Sequence, residues 1–337
     1  MKKKKWIIII IIAALLLVPI IGFIFSGMPV ELILHSIRYK ADYNKDELGT
    51  VYKDLVYKTI DTKTMKLDIY MPRGMNKLKT PVTVFIHGGA WLLGSKEDIL
   101  SLKDTYNMME MLRNQGYAVV SIDYRLLDEQ NNFPDNIEDC KDAIRWIRKN
   151  ANNYDLDPEN IGVWGSSAGG HLSLMVGLTD DNTFRGDAEL SQYSSRVNYV
   201  VDHYGPTDLS EHLGLNHKKH MTKIKEKIRD VAFDVKPTEY ENFKAKCIEN
   251  SPTTSIKKDS VPILVIHGMK DALVNIAESE MLIEAVNQAG GSIESYFVEN
   301  ANHMFAGASD KTLESIVKQS VDFILKNTLP LKEKQDE

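Results

Sequence analysis

Hydrophobic and polar positions change rhythm several times along the 337 residues. Nineteen residues from Ile7 to Phe25 carry no charge and follow the four lysines Lys2–Lys5. At 1.5 Å per residue a helix of that length spans about 28 Å, close to the ~30 Å core of a bilayer. Pro19 would kink such a helix without preventing it from spanning. The lysines predict a cytoplasmic N-terminus, which places everything after Gly27 outside. A cleaved signal peptide competes with this reading, but it calls for a shorter apolar core and an A-x-A-like site. Here only Ser26-Gly27 offers a cut. Residues 1–27 are therefore expected to be a single-pass anchor, and 28–50, with Leu32-Ile33-Leu34, an amphipathic stalk.

From residue 51 to 328 short apolar runs alternate with amphipathic stretches. Residues 55–71 hold two strand-like runs around Asp61-Thr62-Lys63, a predicted antiparallel hairpin. Further strands are predicted at 81–86, 117–122, 161–164, 199–203, 261–267 and 293–298, most of them apolar enough to be buried on both faces. Helices are predicted near 98–115, 139–149, 168–178, 277–289 and 311–326. The alternation specifies an α/β fold, with an eight-stranded, mainly parallel sheet and helices on both faces. A lysine-rich, helix-like insertion at about 207–258 is a lid candidate, and 329–337 reads as a tail.

Composition narrows the function classes. Lys+Arg 41 against Asp+Glu 47 gives a net charge of −6, which argues against broad nucleic-acid binding. Cys140 and Cys247 are too few for a disulfide scaffold or a four-cysteine zinc site. No metal-ligand cluster is visible, and the oligomeric state stays open.

Three motifs fall at predicted strand ends. Gly165-Ser-Ser-Ala-Gly169 fits G-x-S-x-G with Ser167 at its centre, between a strand and a helix, so the serine is exposed at a tight turn. His87-Gly-Gly-Ala-Trp91 follows another strand and can aim backbone N–H groups at a developing oxyanion. Gly89 and Ala90 are the candidate donors there, with Ala168 as the third. Asp271 closes His267-Gly-Met-Lys-Asp271 after a strand, and His303 follows the next one. The order Ser167, Asp271, His303 suits a nucleophile, an orienting acid and a base. Of the other histidines, His87 and His267 are expected to brace their loops, and His171 to pack beneath the turn. His212, His217 and His220 fall among lid lysines, where a solvated face is expected. Trp91 is placed either to wall an acyl pocket or to pack in the core.

These motifs, with Asp123-Tyr-Arg-Leu126, Phe133-Pro134 and Tyr204-Gly-Pro-Thr-Asp208, make residues 50–328 resemble an α/β-hydrolase of the hormone-sensitive-lipase-like carboxylesterases. The similarity is closest to BD-FAE, the bifunctional feruloyl and acetylxylan esterases. The resemblance implies a Ser167–His303–Asp271 triad, an oxyanion hole from Gly89, Ala90 and Ala168, a small-molecule ester substrate with a short or aromatic acyl group, and no cofactor. A peptidase or acyltransferase on the same triad, and a catalytically silent binding protein of this fold, are the competing classes. The anchor, the lid lysines and Ser166, where many relatives carry an acid, are departures from the family pattern.

Overall fold

The computed structural model describes residues 30–74, 78–215 and 222–331. The expected spanning segment 7–25 lies outside the described residues, as do His217, His220 and tail residues 332–337. Among the described residues no helix is long and apolar enough to cross a membrane.

In chain order the regular elements begin with helix α1 (Val30–Arg38), then strands β1 (Val51–Ile60), β2 (Lys63–Tyr70) and β3 (Thr80–Ile86). Next come α2 (Lys103–Asn114), β4 (Ala118–Ile122), α3 (Asp135–Lys149), β5 (Leu156–Ser166) and α4 (Ala168–Leu178). After β6 (Val200–His203) the insertion forms α5 (Leu209–His212), α6 (Lys223–Val231) and α7 (Tyr240–Glu249). The chain returns through β7 (Ile263–Gly268), α8 (Ile276–Ala289), β8 (Ile293–Val298) and α9 (Asp310–Lys326). The strands make one eight-stranded sheet in the order β1-β2-β4-β3-β5-β6-β7-β8. β1 pairs antiparallel with β2 and β2 with β4, while every other pair is parallel.

The strand pleat sorts the core into two layers. In β3, Val82, Val84 and Ile86 pack with α3 and α4, whereas Phe85 turns to the opposite layer with α2 and α9. β3 lies between β4 and β5 and is buried on both faces, which explains its unbroken apolar run. The chain order reverses beside it, so the C-terminal ends of β3 and β5 open side by side, where ligands bind in open α/β sheets.

Two expectations are corrected here. The stalk is no free spacer, because Leu32, Ile33, Ala41 and Leu48 are buried against the body. Ala41 N–H donates to the Ser101 carbonyl at 2.9 Å, and Lys103 N–H to the Tyr39 carbonyl at 2.8 Å. These same bonds divide the helix expected over 98–115. A short 3-10 turn at Lys96–Leu100 precedes α2, and the backbone between them is tied to residues 39–41. Cys140 and Cys247 are both free and buried.

The hairpin is fastened to α3 by charge. Lys58 Nζ lies 2.9 Å from Asp139 Oδ1 and 2.7 Å from Asp142 Oδ2, and both carboxylates are fully buried. Burial opposes the Lys58 charge, but the two acids outweigh it and raise its pKa above the ordinary lysine value. Arg125 and Arg145 hold the remaining oxygens of the pair. Removing one partner of a buried pair leaves an uncompensated charge. Lys58→Met is therefore expected to lower unfolding stability by about 3–5 kcal/mol at pH 7, read from urea melts. An unchanged midpoint would mean that the arginines alone satisfy both acids.

Candidate active site

The G-x-S-x-G spacing follows from how closely three backbones meet. A Cβ at residue 165 would fall 2.3 Å from the Gly169 carbonyl oxygen, and one at residue 169 would fall 2.0 Å from that of Ile86. With side chains absent there, the chain passes from β5 into α4 through Ser167 at φ 56° and ψ −122°. Ser167 N–H donates to the His203 carbonyl at 2.8 Å, and its own carbonyl accepts His171 N–H at 3.1 Å. A non-glycine residue with φ in this range stores strain that the surroundings must hold.

The structure brings the three separated residues together. His303 Nε2 lies 3.0 Å from Ser167 Oγ, and His303 Nδ1 lies 2.7 Å from Asp271 Oδ2. Asp271 is anchored from every side. Its Oδ1 accepts the N–H groups of Leu273 and Val274 at 2.8 Å, and His267 Nε2 lies 3.2 Å from Oδ2. Burial alone would raise the Asp271 pKa, but the two imidazoles, His303 foremost, hold it far below the usual carboxylate range. His267 Nε2 faces this carboxylate and the Val274 carbonyl, so it carries the proton, while Nδ1 takes the Ser279 hydroxyl at 2.6 Å.

Asn302 couples the acid loop to the histidine loop. Its Oδ1 accepts His303 N–H at 2.7 Å and Ala272 N–H at 2.9 Å, and its Nδ2 donates to Glu31 Oε2 of α1 at 3.2 Å. The Tyr204 ring meets the His303 imidazole edge-on at 4.7 Å.

The loop after β3 coils beside Ser167. Gly89, Ala90 and Trp91 have φ of 108°, 56° and 58°, and Leu92 and Leu93 donate back to the Gly89 carbonyl. His87 braces the loop as expected, bonding the Gly88 carbonyl at 2.8 Å and stacking on Tyr124. Burial lowers its pKa to about 4, so it is neutral and donates from Nδ1. Ala168 opens α4, where the first N–H groups have no intrahelical acceptor. Gly89 and Ala90 line the same cavity as Ser167.

That cavity, of about 420 Å³, takes walls from distant parts of the chain. Leu32 and Ser36 come from α1, Ile224 and Lys225 from α6, and Leu273 and Val274 from the acid loop. Trp91 lines the cavity and packs edge-on against Phe133, His171 and His212. His212 departs from the solvated-face expectation. It is buried in the cavity wall, and its Nδ1 lies 3.0 Å from Oε1 of buried Glu278. Lys225 also lines the wall rather than joining exposed Lys223 and Lys227. No sequence motif marks Glu278, Asn302 or the α1 side chains that the fold brings to this site. His267 could have been linked to Asp271 by its four-residue spacing, but nothing local in the sequence connects α1 to Ser167.

Among the described residues no cluster of three or more His, Cys, Asp or Glu is arranged to hold a metal ion. Cys140 and Cys247 add no nucleophile, because burial raises both thiol pKa values.

Below the turn, Asp202 Oδ1 accepts Gly205 N–H at 2.9 Å, while Oδ2 has no hydrogen-bond partner among the described residues. Burial pushes its pKa up to about 7, with His267 acting in the opposite direction. Between about pH 4, where the unfolded carboxyl titrates, and pH 7 the folded state therefore binds the extra proton. The carboxyl's contribution to stability falls as pH rises through that window. Asp202→Asn removes the titration, so the melting temperature of the variant minus that of the parent should climb from pH 4 to pH 8. A difference that stays flat would show that Asp202 is ionised throughout.

Comparison with known proteins accords with this geometry. Esterase LipC of Mycobacterium tuberculosis is 29% identical over 247 residues, covering 73% of this chain and 58% of LipC. The chain spans about half the length of the curated relatives it matches. A truncated carbohydrate esterase from gut microbiota superimposes with a TM-score of 0.69 at 26% identity, over 84% of this chain and 98% of that one. Native esterase Est2 of Thermogutta terrifontis does so with a TM-score of 0.65 at 26% identity, over 83% and 92%. The sheet order and these superpositions are those of an α/β-hydrolase-like fold. The BD-FAE family profile matches residues 67–286, more than half of the chain and inclusive of both loop motifs, Ser167 and Asp271, and on that match the chain belongs to the BD-FAE family.

Proposed function

We propose that the chain is a serine carboxylic ester hydrolase acting through Ser167, His303 and Asp271 on short-chain or aromatic acyl esters. The observation that carries this reading is the hydrogen-bonded relay from Ser167 Oγ through both nitrogens of His303 to Asp271. Ser167 Oγ attacks the ester carbonyl while His303 Nε2 takes its proton. Asp271 holds the ring and stabilises the imidazolium, and the N–H groups of Gly89, Ala90 and Ala168 receive the oxyanion. The intermediate collapses, and His303 returns the proton to the departing alcohol. Water then attacks the acyl-serine with His303 again as base, which releases the acid and restores Ser167. Every proton is carried by these side chains, so the cycle needs no cofactor. Trp91, Leu32, Ile224 and Val274 supply the apolar wall for the acyl group. The names of LipC and of the gut carbohydrate esterase support ester hydrolysis without choosing the acyl group.

Ser167→Ala and His303→Ala should each lower ester turnover by about a thousandfold or more, since triad members act as a unit. Asp271→Asn should cost the same or less, because the acid orients rather than attacks. Circular dichroism checks the fold, and a fluorophosphonate probe should label the parent but not Ser167→Ala. Retained turnover in a folded Ser167→Ala variant would place the nucleophile elsewhere.

We further propose that residues 1–27 anchor the enzyme in a membrane with the catalytic body outside the cytoplasm. Support comes from Lys2–Lys5 and the uncharged stretch 7–25. A chain lacking 1–27 keeps α1, and with it the cavity wall. It should leave the membrane fraction on cell lysis and keep its turnover of soluble esters. Loss of turnover with the fold intact would assign the first segment a part in the site.

A further inference from the structure

Helix α1 has two apolar faces, and the fold uses one of them. Leu32 and Ile33 are buried against the body, and Leu32 reaches the cavity that holds Ser167. At 100° per residue, Val30, Leu34 and Ile37 fall within an arc of about 60° that lies about 140–160° round the helix from Leu32 and borders Ile33. They are 55%, 61% and 58% exposed. Single exposed aliphatic residues are ordinary on a protein surface, but three aligned on under three turns of helix form a stripe that calls for a partner.

The preceding sequence bears on what that partner is. The uncharged stretch ends at Phe25, and only four residues, 26–29, separate it from α1. Four residues reach at most about 14 Å. An apolar phase that takes up 7–25 therefore holds α1 close to its boundary, where a helix with one apolar stripe lies flat. Glu31 and Arg38 flank the stripe on one side, where headgroups and water would meet them. Leu93, 52% exposed, adds an apolar residue of the oxyanion loop to the same cavity.

We propose that α1 lies in the interface of a phospholipid bilayer with Val30, Leu34 and Ile37 immersed, so that the catalytic cavity opens at the lipid surface. This rests on the anchored-hydrolase reading and adds a substrate class to it. Esters dissolved in the bilayer enter past α1 without crossing bulk water.

The test uses the full chain reconstituted in phosphatidylcholine–phosphatidylglycerol vesicles. A bimane fluorophore is placed at Leu34→Cys and, as a control, at Leu325→Cys, near the end of α9 that pairs with the start of β8. Spin-labelled lipids should quench the first strongly and leave the second unchanged. A vesicle-bound chain whose Leu34→Cys fluorophore escapes quenching, or responds to protein concentration instead of lipid, would overturn the inference, the latter outcome assigning the stripe to a second copy. A chain not recovered with vesicles would also overturn it. The triple variant Val30→Ser, Leu34→Ser, Ile37→Ser changes exposed positions only. It should lower turnover of a long-chain ester dissolved in the vesicles by on the order of tenfold while sparing a short soluble ester. Equal effects on both esters, or none, would contradict the surface placement. Turnover of the soluble ester by the parent reports on the hydrolase reading separately, since the quenching measurement does not involve it.

Discussion

At Ser167 the backbone takes a conformation that costs a side-chain-bearing residue on the order of 1–3 kcal/mol, and the neighbourhood is arranged around keeping it there. Gly165 and Gly169 let β3, β5 and α4 meet at distances no Cβ would allow. Gly170 and Gly205 do the same on the far side, where a Cβ at either would strike Asp202 Oδ1. The register of β3 against β5, with Ile86 opposite Gly165, then sets the loop after β3 beside the serine. Enlarging any of these glycines would displace a strand or the helix and carry the serine with it.

The remaining groups are held from outside the turn, and each by more than one bond. Asp271 is fixed by two backbone N–H groups and two imidazoles, and His303 by Asp271, Asn302 and the edge of Tyr204. An imidazole held this way has little freedom to lose, which is what the proposed proton transfer would require. Asn302 also bonds Glu31, so the loop that presents the histidine is tied to the helix that walls the cavity. Asn302 thereby bridges α1 and the His303 loop.

Much of this was legible in the sequence, for a physical reason. Alternating apolar runs specify buried parallel strands, because a strand covered on both faces must be apolar throughout. Gly165-Ser-Ser-Ala-Gly169 is readable because steric exclusion leaves few residues that suit each position. Ser167, Asp271 and His303 could be nominated because strand C-terminal ends are where such a sheet collects its chemistry. These inferences use local composition and chain order, and both are properties of the sequence alone.

Tertiary structure decided whatever depends on contacts between distant segments. Residues 28–50 read as a stalk because their pattern is amphipathic, and the pattern cannot say what the apolar side meets; it meets the body and the cavity. His212 sits among charges in sequence, yet α5 turns it inward to Glu278, a pairing across more than sixty residues. His267 reads as a brace for its own loop, and in the fold it also shares Asp271 with His303. In each case the sequence determined which groups were available, and the packing of separate elements determined which of them touch. The energy of such a contact belongs to the pair, so neither residue's local context records it.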